Sequence, residues 1–344
     1  MKVGYVYDPI YLKHNTGQHV ENVRRLEAII SYLEQTGLKQ QLSQIKPRVA
    51  TTEEISLVHH KQYISYIQEV AKKGGGWLDV DTVMSPNSYD AALYAVGGVI
   101  RATEAVMDGK VGSAFALVRP PGHHATAARA MGFCLFNNVA IAAKYALNKY
   151  KLERILIIDF DVHHGNGTHD TFYDNPQVLY ISTHQYPFYP GTGSIEETGS
   201  GAAKGTTVNI PLPAGCGDTE YLLAFEQIII PIAKRFSPQL ILASAGYDSH
   251  WADGIALMQV SVIGFAQMVR IIKGLADELC SGRLAFGLEG GYNLTALAAS
   301  IKATFDVLLG NTNIEDPLGQ APRRFEASNI TSLIKSIKGI HNLP

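Results

Sequence analysis

Short apolar runs alternate with longer stretches of helical period along this chain, and that alternation predicts its architecture. Runs at Val3–Tyr7, Ser113–Val118, Ile155–Phe160, Val178–Ser182, Thr207–Ile210, Leu240–Ser244 and Leu284–Leu288 have the length and composition of buried strands. Between most of them lie helical patterns, over Val20–Glu34, Glu53–Val58, Tyr63–Ala71, Ser88–Met107, Asn138–Tyr150, Thr219–Arg235, Ser261–Leu279 and Thr295–Leu308. The pattern predicts an α/β fold, a mostly parallel central sheet with helices on both faces. In such folds ligands bind at the loops leaving the carboxyl ends of the strands. After Gly310 the chain turns polar and turn-rich, and a short helix near Ile330–Ile337 is expected to dock on the body. We expect a single domain over residues 1–344, with 311–344 as a docked tail.

Composition narrows the partners. Hydrophobic residues make up 46% of the chain and charged ones 17%, enough apolar material for a large core. Lys+Arg 29 against Asp+Glu 31 leaves a net charge of −2, so no global basic field draws nucleic acid. Uncharged apolar stretches stop well short of the roughly 20 residues a membrane helix needs, and Met1-Lys-Val-Gly-Tyr5 reads as a strand rather than a signal peptide. Neither nucleic acid nor membrane is expected as a partner. Cys134, Cys216 and Cys280 are far apart and odd in number, which suits a reducing compartment, here expected to be the cytoplasm.

The polar residues that end the strands carry the chemistry. Asp159-Phe-Asp-Val-His-His-Gly-Asn-Gly167 follows the run Arg154–Ile158, and an extended backbone would send Asp159, Asp161 and His163 to one face. Asp161 and His163 thereby become an oxygen and nitrogen pair for one cation. Arg119-Pro-Pro-Gly-His-His124 follows another strand, with proline stiffening two adjacent imidazoles. Ala243–Asp248 ends a third with a carboxylate that could complete a metal shell. Gly287–Asn293 ends a fourth, and its paired glycines allow a tight turn that aims Tyr292 into the same crevice.

Taken together, Pro121-Gly-His-His124, Gly132-Phe-Cys134 with Asn137-Asn138, Asp159–Gly167, Pro190-Gly-Thr-Gly193, Gly246-Tyr-Asp248 and Leu288-Glu-Gly-Gly-Tyr-Asn293 resemble the histone deacetylase superfamily. That superfamily includes acetylpolyamine amidohydrolases and acetoin-utilization proteins and shares the arginase–deacetylase fold. The Gly-Asn-Gly and Leu-Glu-Gly-Gly-Tyr forms are similar to the class II branch. The resemblance implies zinc, with ferrous iron as the alternative metal, held by Asp161, His163 and Asp248. It implies His124 as general base paired with Asn166, His123 as electrostatic support oriented by Asp159, and Tyr292 as oxyanion donor. It also implies a structural potassium ion at Asp159 and Ser182, with carbonyls of Asp161, His163 and Thr183. Phe133 and Tyr189 would line a narrow alkyl channel, with Asp81, preferred to Asp79, as rim acid and Ile255 at the mouth.

The activity so implied is hydrolysis of the acetyl amide of N-acetyl-lysine, or of a similar acetylated alkylamine such as an acetylpolyamine, releasing acetate. The partners are an acetylated small amine or an acetyl-lysine protein, with a homo-oligomer as one form of the enzyme. An arginase-like reading needs ligands for two adjacent metals, and the motif supplies one. A catalytically silent acyl-binding module should have lost a ligand or Tyr292, and none is missing. Among less central residues, His14 and His19 are expected near the site mouth with His250 and Trp251, His59-His60 on the surface, and His164 in a structural role. The chain departs from the family at Asp253-Gly-Ile255, where Asp-Pro-Leu is common, and at His19-Val-Glu21, where His-Pro-Glu is frequent.

Overall fold

The computed structural model describes residues 2–322 and 329–344. Its centre is an eight-stranded parallel sheet. In chain order its strands are β1 (Val3–Val6), β2 (Ser43–Ile45), β5 (Ser113–Ala116), β6 (Ile155–Asp159), β7 (Val178–Gln185), β8 (Thr207–Leu212), β9 (Leu240–Ala245) and β10 (Leu284–Leu288). A small antiparallel hairpin, β3 (Gly76–Trp77) with β4 (Val83–Met84), stands apart. Across the main sheet the order is β2-β1-β5-β10-β9-β6-β7-β8. From β5 the chain jumps to β6, builds outward to β8, then returns through β9 and β10 to fill the gap. That reversal draws the loops after β5, β6, β9 and β10 together at one edge, the crevice where open α/β sheets bind ligands.

Helices cover both faces. On one lie α3 (Lys61–Lys72), α4 (Ser88–Met107) and α5 (Asn138–Tyr150), and on the other α1 (Arg24–Gln35), α9 (Val262–Cys280) and α10 (Leu294–Leu309). Every residue of β6, β9 and β10 is buried, which is why these strands read as unbroken apolar runs rather than as alternating patterns. Each fully buried Ile or Leu there contributes roughly 1.5–3 kcal/mol. The last helix, α11 (Thr331–Ile340), adds Ile334 and Ile337 to the same hydrophobic cluster, and Arg235 Nη1 donates to the His341 carbonyl at 2.6 Å. Of the tail expected over 311–344, residues 323–328 lie outside the described residues.

The differences from the sequence pattern have local causes. The edge strand β2 and the hairpin are two or three residues long, too short to show a period. Helix α1 starts at Arg24 rather than Val20, because Glu21 and Asn22 spend their side chains on Arg25 and on turn contacts. A helix over Asn166–Phe172 (α6) was not expected, since its polar Gly-rich start has no apolar stripe. It is held by burial against β7. The helix expected at Thr219–Arg235 begins at Asp218 and widens at Phe225–Ile229, where the Ile230 N–H bonds five residues back just before Pro231. Proline lacks the N–H of a regular turn, and its ring pushes the preceding carbonyls aside.

A buried carboxylate with exposed basic partners fastens α4 to α5. Glu104 accepts from Lys149 at 2.7 Å, Tyr145 at 2.5 Å and Arg101 at 2.6 Å. Burial alone would raise its carboxyl, but these three donors outweigh it and hold the group at about 2, against an ordinary 4.5. Its contribution is therefore present above pH 4.5 and is lost as the pH falls through about 2. Glu104→Gln should cost about 1 kcal/mol at pH 7, and urea titrations at decreasing pH should show that difference closing below pH 4.5.

Candidate active site

The site begins where β6 ends. Asp159 is its last residue, and the backbone then leaves the sheet, so Asp161 and His163 stand in a loop rather than on the extended strand that the alternation predicts. They still converge. Asp161, His163 and Asp248, the last from the loop after β9, each offer a ligand atom within 4.8 Å of the others, and all three are buried. Backbone donors fix the carboxylates: Gly290 N–H and His163 N–H donate to the two Asp161 oxygens at 2.8 and 2.9 Å, and Val162 N–H donates to Asp248 Oδ1 at 2.9 Å. Gly290 is required here, because a Cβ on it would collide with both Asp161 and Asp248.

Asp248 Oδ2 is buried without a hydrogen-bond partner. Burial and the charge of Asp161 push its carboxyl up, whereas Asp161, despite burial, is held low by His123 and His163. Two buried carboxylates around one imidazole, one oxygen left bare, form a donor set that a divalent cation satisfies.

Next to this cluster stand the two imidazoles of the loop after β5. His123 Nδ1 lies 3.1 Å from Asp159 Oδ2, and its Nε2 lies 3.8 Å from Asp161 Oδ1. Burial pulls this imidazole down, but Asp161 and Asp159 prevail and lift it to about 10. His124 Nδ1 meets Asn166 Oδ1 at 2.8 Å. An amide oxygen only accepts, so Nδ1 carries the hydrogen and Nε2 keeps its lone pair. Burial, with His123 and His163 beside it, takes His124 well below its ordinary value. The adjacent rings, with centroids 4.0 Å apart, are thus pushed in opposite directions.

A cavity of about 240 Å³ opens onto these groups. It is lined by Asp81, His124, Gly132, Phe133, His163, Phe188, Tyr189, Ile255 and Tyr292. Phe133 meets Tyr292 edge-on at 5.7 Å, and Tyr189 meets His124 edge-on at 5.1 Å. All four channel residues expected from the sequence are therefore walls of one cavity. Asp79 is engaged by Arg129 at 2.8 Å, whereas Asp81 receives only the Thr82 hydroxyl, at 3.0 Å. Asp159, the last residue of β6, is the direct register partner of Ser182 within β7. Ser182 Oγ contacts His184 Nδ1 at 2.9 Å.

Four peripheral expectations are corrected. His59 is buried, contacting the Thr126 carbonyl and accepting from Asn137 N–H at 2.8 Å, and only His60 is exposed. His14 lies in the interior beside Ser88 and Glu21 rather than at the mouth. His250 stacks on Phe265, and Trp251 donates to the Gly319 carbonyl, so neither lines the cavity. His19 does sit at the mouth, 4.6 Å from the Phe133 ring.

Sequence reasoning missed the supports behind the site. Phe188 stacks on the His163 ring at 5.4 Å, and its place beside Tyr189 was a usable signal. Arg25 is fully buried, donates to the carbonyls of Glu289 and Gly291 at 2.5 and 2.6 Å, and lies over the Tyr292 ring at 4.9 Å. Glu21 binds both Arg25 and Arg119, and Asp253 takes the backbone N–H of Tyr292 and Asn293. Glu289, pushed up to about 7 by burial, accepts from Gly122 and His123 N–H. Glu289, Arg119, Asp253 and Glu21 fall inside or beside the motifs quoted above, but their supporting contacts reach across the chain and could not be read from those motifs.

A carboxylate–imidazole centre at the carboxyl edge of a parallel sheet, closed by an aromatic channel, defines a hydrolytic enzyme of the arginase–deacetylase fold. The histone deacetylase domain matches residues 19–308 of this chain. Histone deacetylase 10, chloroplastic, of Oryza sativa subsp. japonica is 40% identical, over 96% of this chain and 79% of that protein. A probable deacetylase of Archaeoglobus fulgidus is 39% identical over 99% of this chain and 98% of its own length. The crystal structure of the HDA15 HD domain superposes with a TM-score of 0.89 at 34% identity, covering 99% of this chain and 94% of that one. The chain belongs to the histone deacetylase family, and it is a deacetylase.

Because Gly290 touches both carboxylates, Gly290→Ala should leave far-UV circular dichroism unchanged yet weaken divalent-metal binding at least tenfold, read by chelator competition.

Proposed function

We propose that this deacetylase is a zinc-dependent amidohydrolase that removes the acetyl group from N-acetyl-lysine or a similarly acetylated alkylamine, releasing acetate. The observation that carries the reading is the buried Asp248 Oδ2, which accepts no hydrogen bond and stands 3.3 Å from His163 Nδ1, set with Asp161 beside His124 at the inner end of the channel. Asp161, His163 and Asp248 would hold the ion, which when bound supplies Lewis-acid polarisation of the amide carbonyl and acidifies water. Zinc suits one nitrogen and two oxygen ligands, and ferrous iron would fit the same set.

The protein's own groups do the rest. His124 Nε2, holding a lone pair, takes the proton of the attacking water and later returns it to the leaving amine. His123, oriented by Asp159 at 3.1 Å, supports the transition state electrostatically. The Tyr292 hydroxyl donates to the developing oxyanion, and Arg25 and Asp253 hold its ring and backbone in place. Phe133, Phe188 and Tyr189 bury the methylenes of the substrate arm. Asp81, at the rim and with no basic partner among the described residues, takes a substrate N–H or ammonium. A structural potassium ion would be held by Asp159 and Ser182 with the carbonyls of Asp161, His163 and Thr183. A single catalytic domain in a reducing compartment agrees with the continuous hydrophobic cluster and with three free, buried cysteines. No helix among the described residues is long and apolar enough to cross a membrane.

Tyr292→Phe should keep its zinc and lose roughly 10²–10³ in kcat, and unchanged turnover would remove the hydroxyl from the reaction. On zinc-loaded protein, with His124→Ala as the blank, kcat/KM should favour an acetyl-lysine peptide over N-acetylputrescine. The peptide can give a backbone N–H to Asp81 and rest on Ile255, and no acidic cluster at the mouth awaits a polycation. The reverse preference would assign the enzyme to acetylpolyamines.

A further inference from the structure

His164, adjacent to a proposed zinc ligand, does not line the cavity. Its ring instead meets that of His169, on α6, with centroids 4.9 Å apart. A ligand atom from each, and a carboxylate oxygen of Glu197 from the loop between β7 and β8, lie within 4.8 Å of one another. His164 is 1% exposed and His169 7%. The Nε2 atoms of both are buried with no hydrogen-bond partner. His169 Nε2 lies 3.3 Å from Glu197 Oε2, within ion-pair reach, and the same oxygen accepts from the Gly193 N–H at 3.1 Å.

The outer nitrogens are already spoken for. His164 Nδ1 contacts Thr192 Oγ1 at 2.7 Å, and His169 Nδ1 contacts Asp170 Oδ1 at 3.0 Å. A carboxylate oxygen accepts only, so His169 carries its hydrogen on Nδ1 and presents a lone pair at Nε2; the Thr192 hydroxyl can accept in the same way from His164. Metal-binding imidazoles are held in just this manner, with one ring N–H given to an oxygen and the other nitrogen aimed at the ion. Two neighbouring imidazoles, each with a buried nitrogen that makes no hydrogen bond, would otherwise cost stability without return.

From this geometry we propose that His164, His169 and Glu197 form a second metal site, for zinc or a similar borderline divalent cation. Two imidazoles and a carboxylate leave a fourth position for water. Glu197, with its side chain 33% exposed, is the way in. None of the three residues reaches the substrate cavity, so the ion is structural. It fastens the loop after β6 to α6 and to the β7–β8 loop, the same loop that carries Phe188 and Tyr189. The proposal stands apart from the catalytic reading, since it shares no ligand with it.

The test is zinc binding by the intact chain. Metal-stripped protein is loaded with zinc alone, passed through gel filtration, and its retained metal measured per chain. Wild type should retain two equivalents, and Glu197→Gln and His169→Gln one, with kcat/KM on acetyl-lysine peptide within about twofold of wild type. Asp248→Asn, which removes a ligand of the proposed catalytic ion, should still retain one and gain thermal stability on adding zinc. One equivalent in wild type with none in Asp248→Asn would overturn the second site and leave the catalytic site standing. Two equivalents persisting in Glu197→Gln would also overturn it. One equivalent in wild type, kept in Asp248→Asn and lost in Glu197→Gln, would support the second site and sink the catalytic zinc.

Discussion

The unshared charge of Asp161 and Asp248 is the constraint around which this structure is arranged. Two carboxylates buried side by side cannot both stay ionised without a cation or a dense set of donors. The chain supplies three backbone N–H groups, one imidazole and a glycine that leaves room, and still leaves one carboxylate oxygen bare. The strand order follows the same need. Placing β9 and β10 between β5 and β6 brings four loops to one point, so groups nearly 130 residues apart, such as Asp161 and Gly290, meet within hydrogen-bond distance.

Protonation is divided by the same arrangement. His123 faces Asp161 and Asp159 and is pushed up, whereas burial, with His123 and His163 beside it, pushes His124 down. The partners that orient the two rings, Asp159 and Asn166, are supplied by the β6 segment and the helix that follows it.

What could be read from the sequence was what local chemistry states directly. The long buried strands announce themselves as apolar runs, and His123, His124, Asp161, His163, Asp248 and Tyr292 sit in compact motifs at strand ends. Residues whose meaning is purely spatial stayed hidden. His59 looks like a surface residue in a polar stretch, yet it is enclosed by Thr126 and Asn137, far along the chain. Arg25 and Arg119 look like ordinary helix and loop cations until Glu21 draws both into the interior. The loop after β6 defeated the alternation rule because the sheet ends one residue earlier than the pattern, and backbone turns rather than pleating aim Asp161 and His163.

Phe188 lies nearly parallel to the His163 ring, 18° from it, and covers that face of the imidazole. Water cannot approach the ring from that side. An ion held there would be approached from the side of the channel, so substrate or product lodged in the channel would slow its exchange.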